Sequence, residues 1–402
     1  MTLKRLNRFF SILTILAVPA AAADNLLTLQ NAITIGQSQN PDHARIEAEL
    51  RALTARTRLA SAPASPVLGL ESSGPDARTY TVSQSLGFPG KARAEVRTLE
   101  FETRKLAREM DALDHETAHS AKSAFYQLWL AGEKLRLDGQ KRASFENILK
   151  IAQRRAVKET TTEVELLILE TALEGVENER TDDESLKEKA VARLNLLLGR
   201  PVDSPLEIQA PPAPAYPFSI DLPRLRETLK AENPKLLAES AEIQAAGSRL
   251  KSARLSSLPD FTLTGGYITN PAFYTGKLAF TVPLYYPFSG REAIKAAGEL
   301  AAARAARKLA LERRLLTELE DKAAVLKALG LKLDRYNTKI IPLSERAFRV
   351  AMRNYEYGKI DFSTLKASAD TWFNSMTEYA GLLAAYASGR ADLELIAGAP
   401  LP

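Results

Sequence analysis

His115-Glu116-Thr117-Ala118-His119 reads H-E-x-x-H, a spacing that can do zinc chemistry. On a helix, residues four apart share a face, so His115 and His119 could hold one zinc ion while Glu116 serves as general base. Catalytic zinc also needs a third protein ligand and an open coordination position. His43 is the one other histidine and there is no cysteine, so an acidic third ligand would have to come from elsewhere. Asp111, four residues before His115 on the same face, suggests a weaker metal contact. The motif lies inside a long helical run with no cleft-forming domain around it, and a polar stripe, solvated or between helices, accounts for it best. The sequence has no phosphate-cradling glycine loop and no serine elbow. We therefore expect no enzyme activity, no resident metal and no cofactor.

The elements that must carry these residues are written twice. A shift of 193 superposes Leu29 on Leu222, Asn40-Pro41 on Asn233-Pro234, Arg56 on Arg249 and Pro66 on Pro259; by Gly90-Lys91 and Gly290-Arg291 the offset is 200. The extra residues of the second copy fall between those anchors, and insertions confined to loops mark a repeat architecture. This divides the chain into residues 1–23, repeat 1 (24–204), a Pro- and Ala-rich linker (205–217) and repeat 2 (218–402). The linker composition predicts an extended segment.

Residues 1–23 read as a signal peptide. Lys4, Arg5 and Arg8 precede the apolar Phe9–Val18, and Ala21-Ala22-Ala23 offers a small-residue cleavage site. Without those three cations the formal charge falls from +5 to +2, which gives no support for nucleic-acid binding. The absence of cysteine excludes disulfides, thiolate metal sites and a lipid-modified N-terminal cysteine. No later stretch approaches the ~18 apolar residues of a membrane helix, so an exported protein of this sequence that spans a membrane must do so with strands.

From Gly90 to Arg200 there is no proline, and Ala, Leu, Glu, Lys and Arg dominate. Residues 91–158 predict a rod of about 100 Å. The second copy repeats the rod after Pro287, broken by Pro342, which kinks it or starts a new helix. Phe145, Ile148 and Ala152, and likewise Leu343, Ala347 and Val350, recur at three and four and predict stripes that pack on neighbouring helices. Quieter helices are expected at 29–61 and 222–254, each interrupted at Asn-Pro.

Strands are expected at about 66–73, 79–88, 260–268 and 277–285, with turns at Gly74-Pro75-Asp76 and around Asn270-Pro271. Alternation places Tyr80, Val82, Leu86 and Phe88 on one face, and Leu278, Phe280, Val282 and Leu284 on the other hairpin's equivalent. Such a pattern fits a soluble hairpin half-buried on a helix, or lipid-facing residues backed by a polar lumen face. Four strands cannot close a barrel, and open edges in lipid leave backbone groups unsatisfied. A membrane barrel would therefore be shared between copies, two giving eight strands and three giving twelve.

The duplicated order of helix, two strands and long helices, together with local motifs, resembles the TolC-like outer-membrane efflux family over essentially the whole mature sequence. Phe-Pro-Gly-Lys at 88–91 resembles the strand-to-helix turn of its heavy-metal branch, the cobalt–zinc–cadmium and copper–silver systems. Pro342 and Asn354-Tyr355-Glu356-Tyr357-Gly358-Lys359-Ile360-Asp361-Phe362-Ser363-Thr364-Leu365 resemble the family's proline, tyrosine–glycine turn and return helix. The resemblance implies a mainly α protomer with membrane β-strands, forming a homotrimer. That trimer would have a twelve-stranded outer-membrane barrel, continued by a periplasmic α-helical barrel in a Gram-negative bacterium. It implies a passive conduit served by a periplasmic adaptor and an inner-membrane pump, carrying metal cations or small toxic compounds.

The residues expected at the periplasmic tip are Lys158, Glu159, Glu163, Tyr355, Gly358, Lys359 and Asp361, for gating and adaptor contact. Those at the strand-to-helix turns are Pro89, Gly90, Lys91, Gly290 and Arg291. Copy one departs from the pattern at its tip, since Val157–Glu163 has no glycine. Two other classes stay in play: a soluble periplasmic coiled-coil scaffold or adaptor, and the zinc hydrolase.

Overall fold

The computed structural model describes residues 26–72, 76–157, 163–211, 220–281 and 290–401. Residues 1–23, where the sequence reading expects a signal peptide, lie outside them, as do Lys158, Glu159, Val282, Leu284, and Gly74 and Pro75 of the first hairpin turn. Helix α1 (Leu29–Gln39) starts where Thr28 Oγ1 accepts from the Asn31 N–H at 3.2 Å. Asn40 then ends α1 and starts α2 (Pro41–Ser61). Standing before proline it is extended, φ −69° and ψ 116°, and its side chain accepts from the Asp42 N–H. Asn233 repeats the device between α5 (Leu222–Glu232) and α6 (Pro234–Leu255), with φ −60° and ψ 117° and its Oδ1 accepting from Leu236. The duplicated Asn-Pro is thus a hinge that breaks one helix and caps the next.

Helix α3 (Lys91–Ala156) runs 66 residues without interruption, about 100 Å. Helix α4 (Glu163–Leu197) returns along it. In the second copy α7 (Arg291–Arg335) passes through a π-helical turn, Tyr336–Ile340, into α8 (Ile341–Glu356). Pro342 sits in the first turn of α8. Proline lacks an N–H and its ring crowds the carbonyl four residues back; the wider π turn accommodates both without ending the rod. Helix α9 (Phe362–Ala397) closes the chain at Gly398, φ 76°, whose N–H bonds to the Glu394 carbonyl at 2.9 Å.

The strands are β1 (Val67–Ser72), β2 (Arg78–Leu86), β3 (Asp260–Thr269) and β4 (Ala272–Thr281). They form one antiparallel sheet in the order β1-β2-β3-β4, so the two copies join at β2–β3. Strand β4 starts at Ala272 rather than near 277, because the turn leaves only Asn270 and Pro271 between Thr269 and Ala272. Strand β2 ends at Leu86, before Phe88.

Among the described residues, three apolar cores lie along the rods. One holds Ala32 of α1, Phe125 and Leu128 of α3, and Leu194 of α4. Another joins Leu229, Leu319, Leu326, Tyr386 and Leu393. The third, at the end farthest along α3, packs Phe145 and Ile148 against Leu169, Phe348, Tyr355, Phe362 and Phe373. Each fully buried Leu or Phe contributes about 1.5–3 kcal/mol, so this end is held by a substantial core. The inward stripe of α8 is Ser344, Phe348, Ala351 and Tyr355. Leu343 and Val350 are instead 66 % and 52 % exposed, so the stripe read from the sequence is not the one buried within the protomer.

Candidate functional site

The α8–α9 turn is set by Gly358, whose φ of +69° favours glycine. Its N–H bonds to the Tyr355 carbonyl at 3.0 Å, and the Lys359 N–H bonds to the Asn354 carbonyl at 2.8 Å. Asp361 then caps α9, accepting from the Thr364 N–H at 2.9 Å. That hydrogen bonding holds its carboxyl below the usual carboxylate range. Lys359 Nζ lies 6.0 Å from the ring centroid of the exposed Tyr357. Glu163, exposed, opens α4 on the other side of the tip.

Tyr355 is fully buried, so it cannot be a direct docking contact as the sequence suggested. It is instead the point where the two tip hairpins meet. Arg155 Nη1 donates to the Tyr355 carbonyl at 3.0 Å, and the guanidinium lies 4.4 Å from the ring centroid. Burial, followed by the nearby Glu165 carboxylate, pushes the Tyr355 hydroxyl up, so it stays neutral. Sequence reasoning missed Arg155 and Glu165, which no spacing connects to Tyr355.

The two strand-to-helix turns are not equivalent. Gly90 takes φ +109° after Pro89, while Gly290, before Arg291, takes φ −69° and ψ −36° like any helical residue. Lys91 Nζ donates to the Leu258 carbonyl and to Asp260 Oδ1, both at 2.8 Å, and the Phe88 N–H reaches the same Asp260 oxygen at 2.9 Å. The first copy's turn is thereby clamped to the start of the second copy's hairpin.

The sheet register gathers one apolar face. Leu70 pairs with Tyr80 and Tyr80 with Tyr267; Leu68 pairs with Val82; Leu86 pairs with Phe261, and Phe261 with Phe280; Leu263 pairs with Leu278. Directly paired residues share a face, so these side chains line one surface across all four strands. Tyr80, Val82, Leu86, Leu278 and Phe280 are each about half exposed or more. The opposite face carries Thr81, Ser83, Thr264, Gly266, Thr275 and Lys277.

Glu116 and His119 of the H-E-x-x-H motif are engaged between helices. Glu116 pairs with Lys235 of α6 at 2.7 Å, and His119 Nε2 lies 2.6 Å from Asp392 of α9, which also takes Lys322 of α7 at 2.7 Å. His43 faces Asp114 at 3.9 Å, and Asp111 pairs with Arg108 at 3.0 Å. Among the described residues no group of three or more His, Cys, Asp or Glu is arranged to hold a metal. Nor is any helix among them long and apolar enough to cross a membrane.

Neither a protein-family model nor a curated protein sequence matches the chain. Solved structures do. A crystal structure of CusC, described for transmembrane channel formation, matches at a TM-score of 0.79 with 13 % identity over 92 % of each chain. The outer-membrane protein VceC of Vibrio cholerae matches at 0.78 with 17 % identity, over 93 % of this chain and 97 % of its own. The fold is that of these outer-membrane channel protomers. The CmeC outer-membrane channel of Campylobacter jejuni matches at 0.77 with 14 % identity, over 92 % and 85 %. The near-equal scores favour no branch among them, so the heavy-metal leaning of Phe88–Lys91 gains nothing from the fold.

Proposed function

We propose that this chain is the outer-membrane channel subunit of a tripartite efflux system, assembled as a homotrimer and passive in itself. The observation that carries the reading is the apolar face spanning a sheet whose edge strands β1 and β4 have no further partner strand among the described residues. In lipid such edges must pair with other copies, because each unsatisfied backbone group costs several kcal/mol. Three protomers would close twelve strands, matching the family the sequence resembles. The α3 rod then carries the lumen about 100 Å away from the membrane. Exposed Val164, Leu167 and Ile168 on α4, and Leu343 and Val350 on α8 with Tyr357 just beyond it, provide seams by which protomers close a helical barrel.

In this reading the tip around Gly358, Lys359, Asp361 and Glu163 meets the adaptor, and an energised inner-membrane pump delivers the solute. Metal cations or small toxic compounds are the proposed cargo. Expression with the native leader should give a detergent-dependent, heat-modifiable trimer in the outer-membrane fraction. A soluble monomer after leader removal would sink the proposal and restore the periplasmic scaffold. Growth of a deletion strain on metal salts and on organic toxicants would then sort the cargo.

A further inference from the structure

We propose that Asp138 of α3 and Asp183 of α4 form a proton-binding site, which ties the two helices together when loaded and loosens them when the proton leaves. This goes beyond the conduit reading, because it concerns how the helical part responds to its surroundings and does not depend on what passes through.

Asp138 is 8 % exposed, and its Oδ2 is buried with no hydrogen-bond partner. Its carboxyl lies within hydrogen-bonding reach of the Asp183 carboxyl. Two ionised carboxylates have only acceptors to offer each other, so this contact becomes a bond only when a proton sits between them. The surrounding charges do not remove that need. From α3, Lys134 pairs with Asp183 at 3.1 Å, and the buried Lys141 reaches Glu179 at 2.7 Å and Asp370 at 3.8 Å. From α9, Lys366 pairs with Asp370 at 2.5 Å. The cluster therefore sets the carboxylates of Asp138, Asp183, Glu179 and Asp370 against the ammonium groups of Lys134, Lys141 and Lys366. One bound proton balances it, and Asp138, whose buried Oδ2 has no partner, is where that proton belongs. Burial first, then the facing Asp183, raises the Asp138 pKa to about 6. Phe145, which opens the tip core on α3, lies two helical turns beyond, so loosening α4 here would be felt where the hairpin enters the tip.

The sign follows from the raised pKa. The folded state takes up the proton more readily than an unfolded carboxyl near 3.8, so the tie is strongest at acid pH and is lost as pH rises through about 6. Hydrogen–deuterium exchange on the full-length protein tests this, with peptides covering 134–146 and 176–187 compared at about pH 5.5 and about pH 7.5 after correction for chemical exchange. A titration at about 6 predicts roughly four-fold more protection at the lower pH. In Asp138→Asn the amide donates permanently to Asp183, so protection should match the acid wild type at both pH values.

Should that variant fail to fold, infrared difference spectra of wild-type protein with isotope-labelled aspartate give the same answer. They should show a protonated-carboxyl band at about pH 5.5 that is gone at about pH 7.5. Equal wild-type protection at both pH values, unchanged pH dependence in Asp138→Asn, or no protonated band at the lower pH would each overturn the proposal.

Discussion

Arg155 and Tyr355 stand 200 residues apart in sequence and in direct contact at the tip, the guanidinium over the ring at 4.4 Å and bonded to the tyrosine carbonyl at 3.0 Å. One side chain of the α3–α4 hairpin thus holds both the aromatic core and the backbone of the α8–α9 turn. A cation over an aromatic face contributes about 0.5–2 kcal/mol, and the hydrogen bond adds about 1 kcal/mol. Arg155→Ala should therefore speed amide exchange of residues 345–362 about ten-fold or more, while the separate core around Leu319 and Tyr386 stays unchanged. Arg155→Lys should recover only part of the loss, because an ammonium lacks the planar fork that makes both contacts. If the tip acts as a gate, the same variants should show longer open times in planar bilayers.

The turn glycines should respond in opposite directions. Gly90 and Gly358 hold φ of +109° and +69°, where a Cβ is strained, and each should lose about 1–3 kcal/mol on substitution by alanine. Gly290, at φ −69°, should tolerate alanine or gain up to about 1 kcal/mol. Thermal or proteolytic unfolding of the three variants checks this, and a destabilised Gly290→Ala would show that the second turn is more constrained than its backbone indicates.

Those glycines also show what the sequence could reveal. A positive φ leaves a local mark, so Gly358 in a Tyr-Gly turn was readable, as were the sheet faces, because alternation of period two and cross-strand register carry the same information. The equivalence of Gly90 and Gly290 was inferred from alignment of the copies, and backbone angles show that duplication preserves position without preserving conformation. In α8, 343/347/350 and 344/348/351/355 are both apolar enough to read as stripes; which one faces inward depends on where α9 lies. Arg155 over Tyr355, and Asp138 facing Asp183, come from packing between distant segments, and no one-dimensional spacing encodes them.

The two sheet faces should differ sharply in their tolerance of charge. Leu263→Arg or Leu278→Arg puts a cation on the apolar face and should cost about 2–4 kcal/mol at mid-membrane depth, reducing folding into lipid vesicles. Thr264→Lys, on the opposite face beside Lys277, should fold with close to wild-type yield. Heat-modifiable gel migration after refolding reads both. Equal tolerance on the two faces would contradict a lipid-exposed surface.

Zinc should find no catalytic home at His115 and His119. Glu116→Gln removes one partner of an ion pair with Lys235 in which both side chains are more than two-fifths exposed, so stability should change by less than about 1 kcal/mol. Equilibrium dialysis should give no stoichiometric zinc in either form. His119→Ala, which strips Asp392 of one of the two side chains that contact its carboxylate, should be the more damaging change.

The charge cluster around Glu242, between α3, α6 and α7, should lose its grip in acid, with a sign opposite to that of Asp138. Glu242 of α6 is 4 % exposed and gathers Arg249 at 3.1 Å, Lys105 of α3 at 3.3 Å and Arg304 of α7 at 3.5 Å. Burial alone would raise its pKa, but the Arg249 hydrogen bond and the Lys105 charge outweigh it and hold the carboxyl below its ordinary value. A depressed pKa means the contribution is full above the unfolded value, about 4.5, and disappears as pH falls through the lower folded value. Glu242→Gln leaves the clustered cations without their shared anion and should cost about 3 kcal/mol at neutral pH. The gap between variant and wild type should then narrow below about pH 4.5, where the carboxyl of the unfolded wild-type chain begins to protonate while the folded one is still ionised. Proteolytic unfolding followed from neutral to acid pH measures that gap; a constant difference across the range would mean that Glu242 acts through its shape and not its charge.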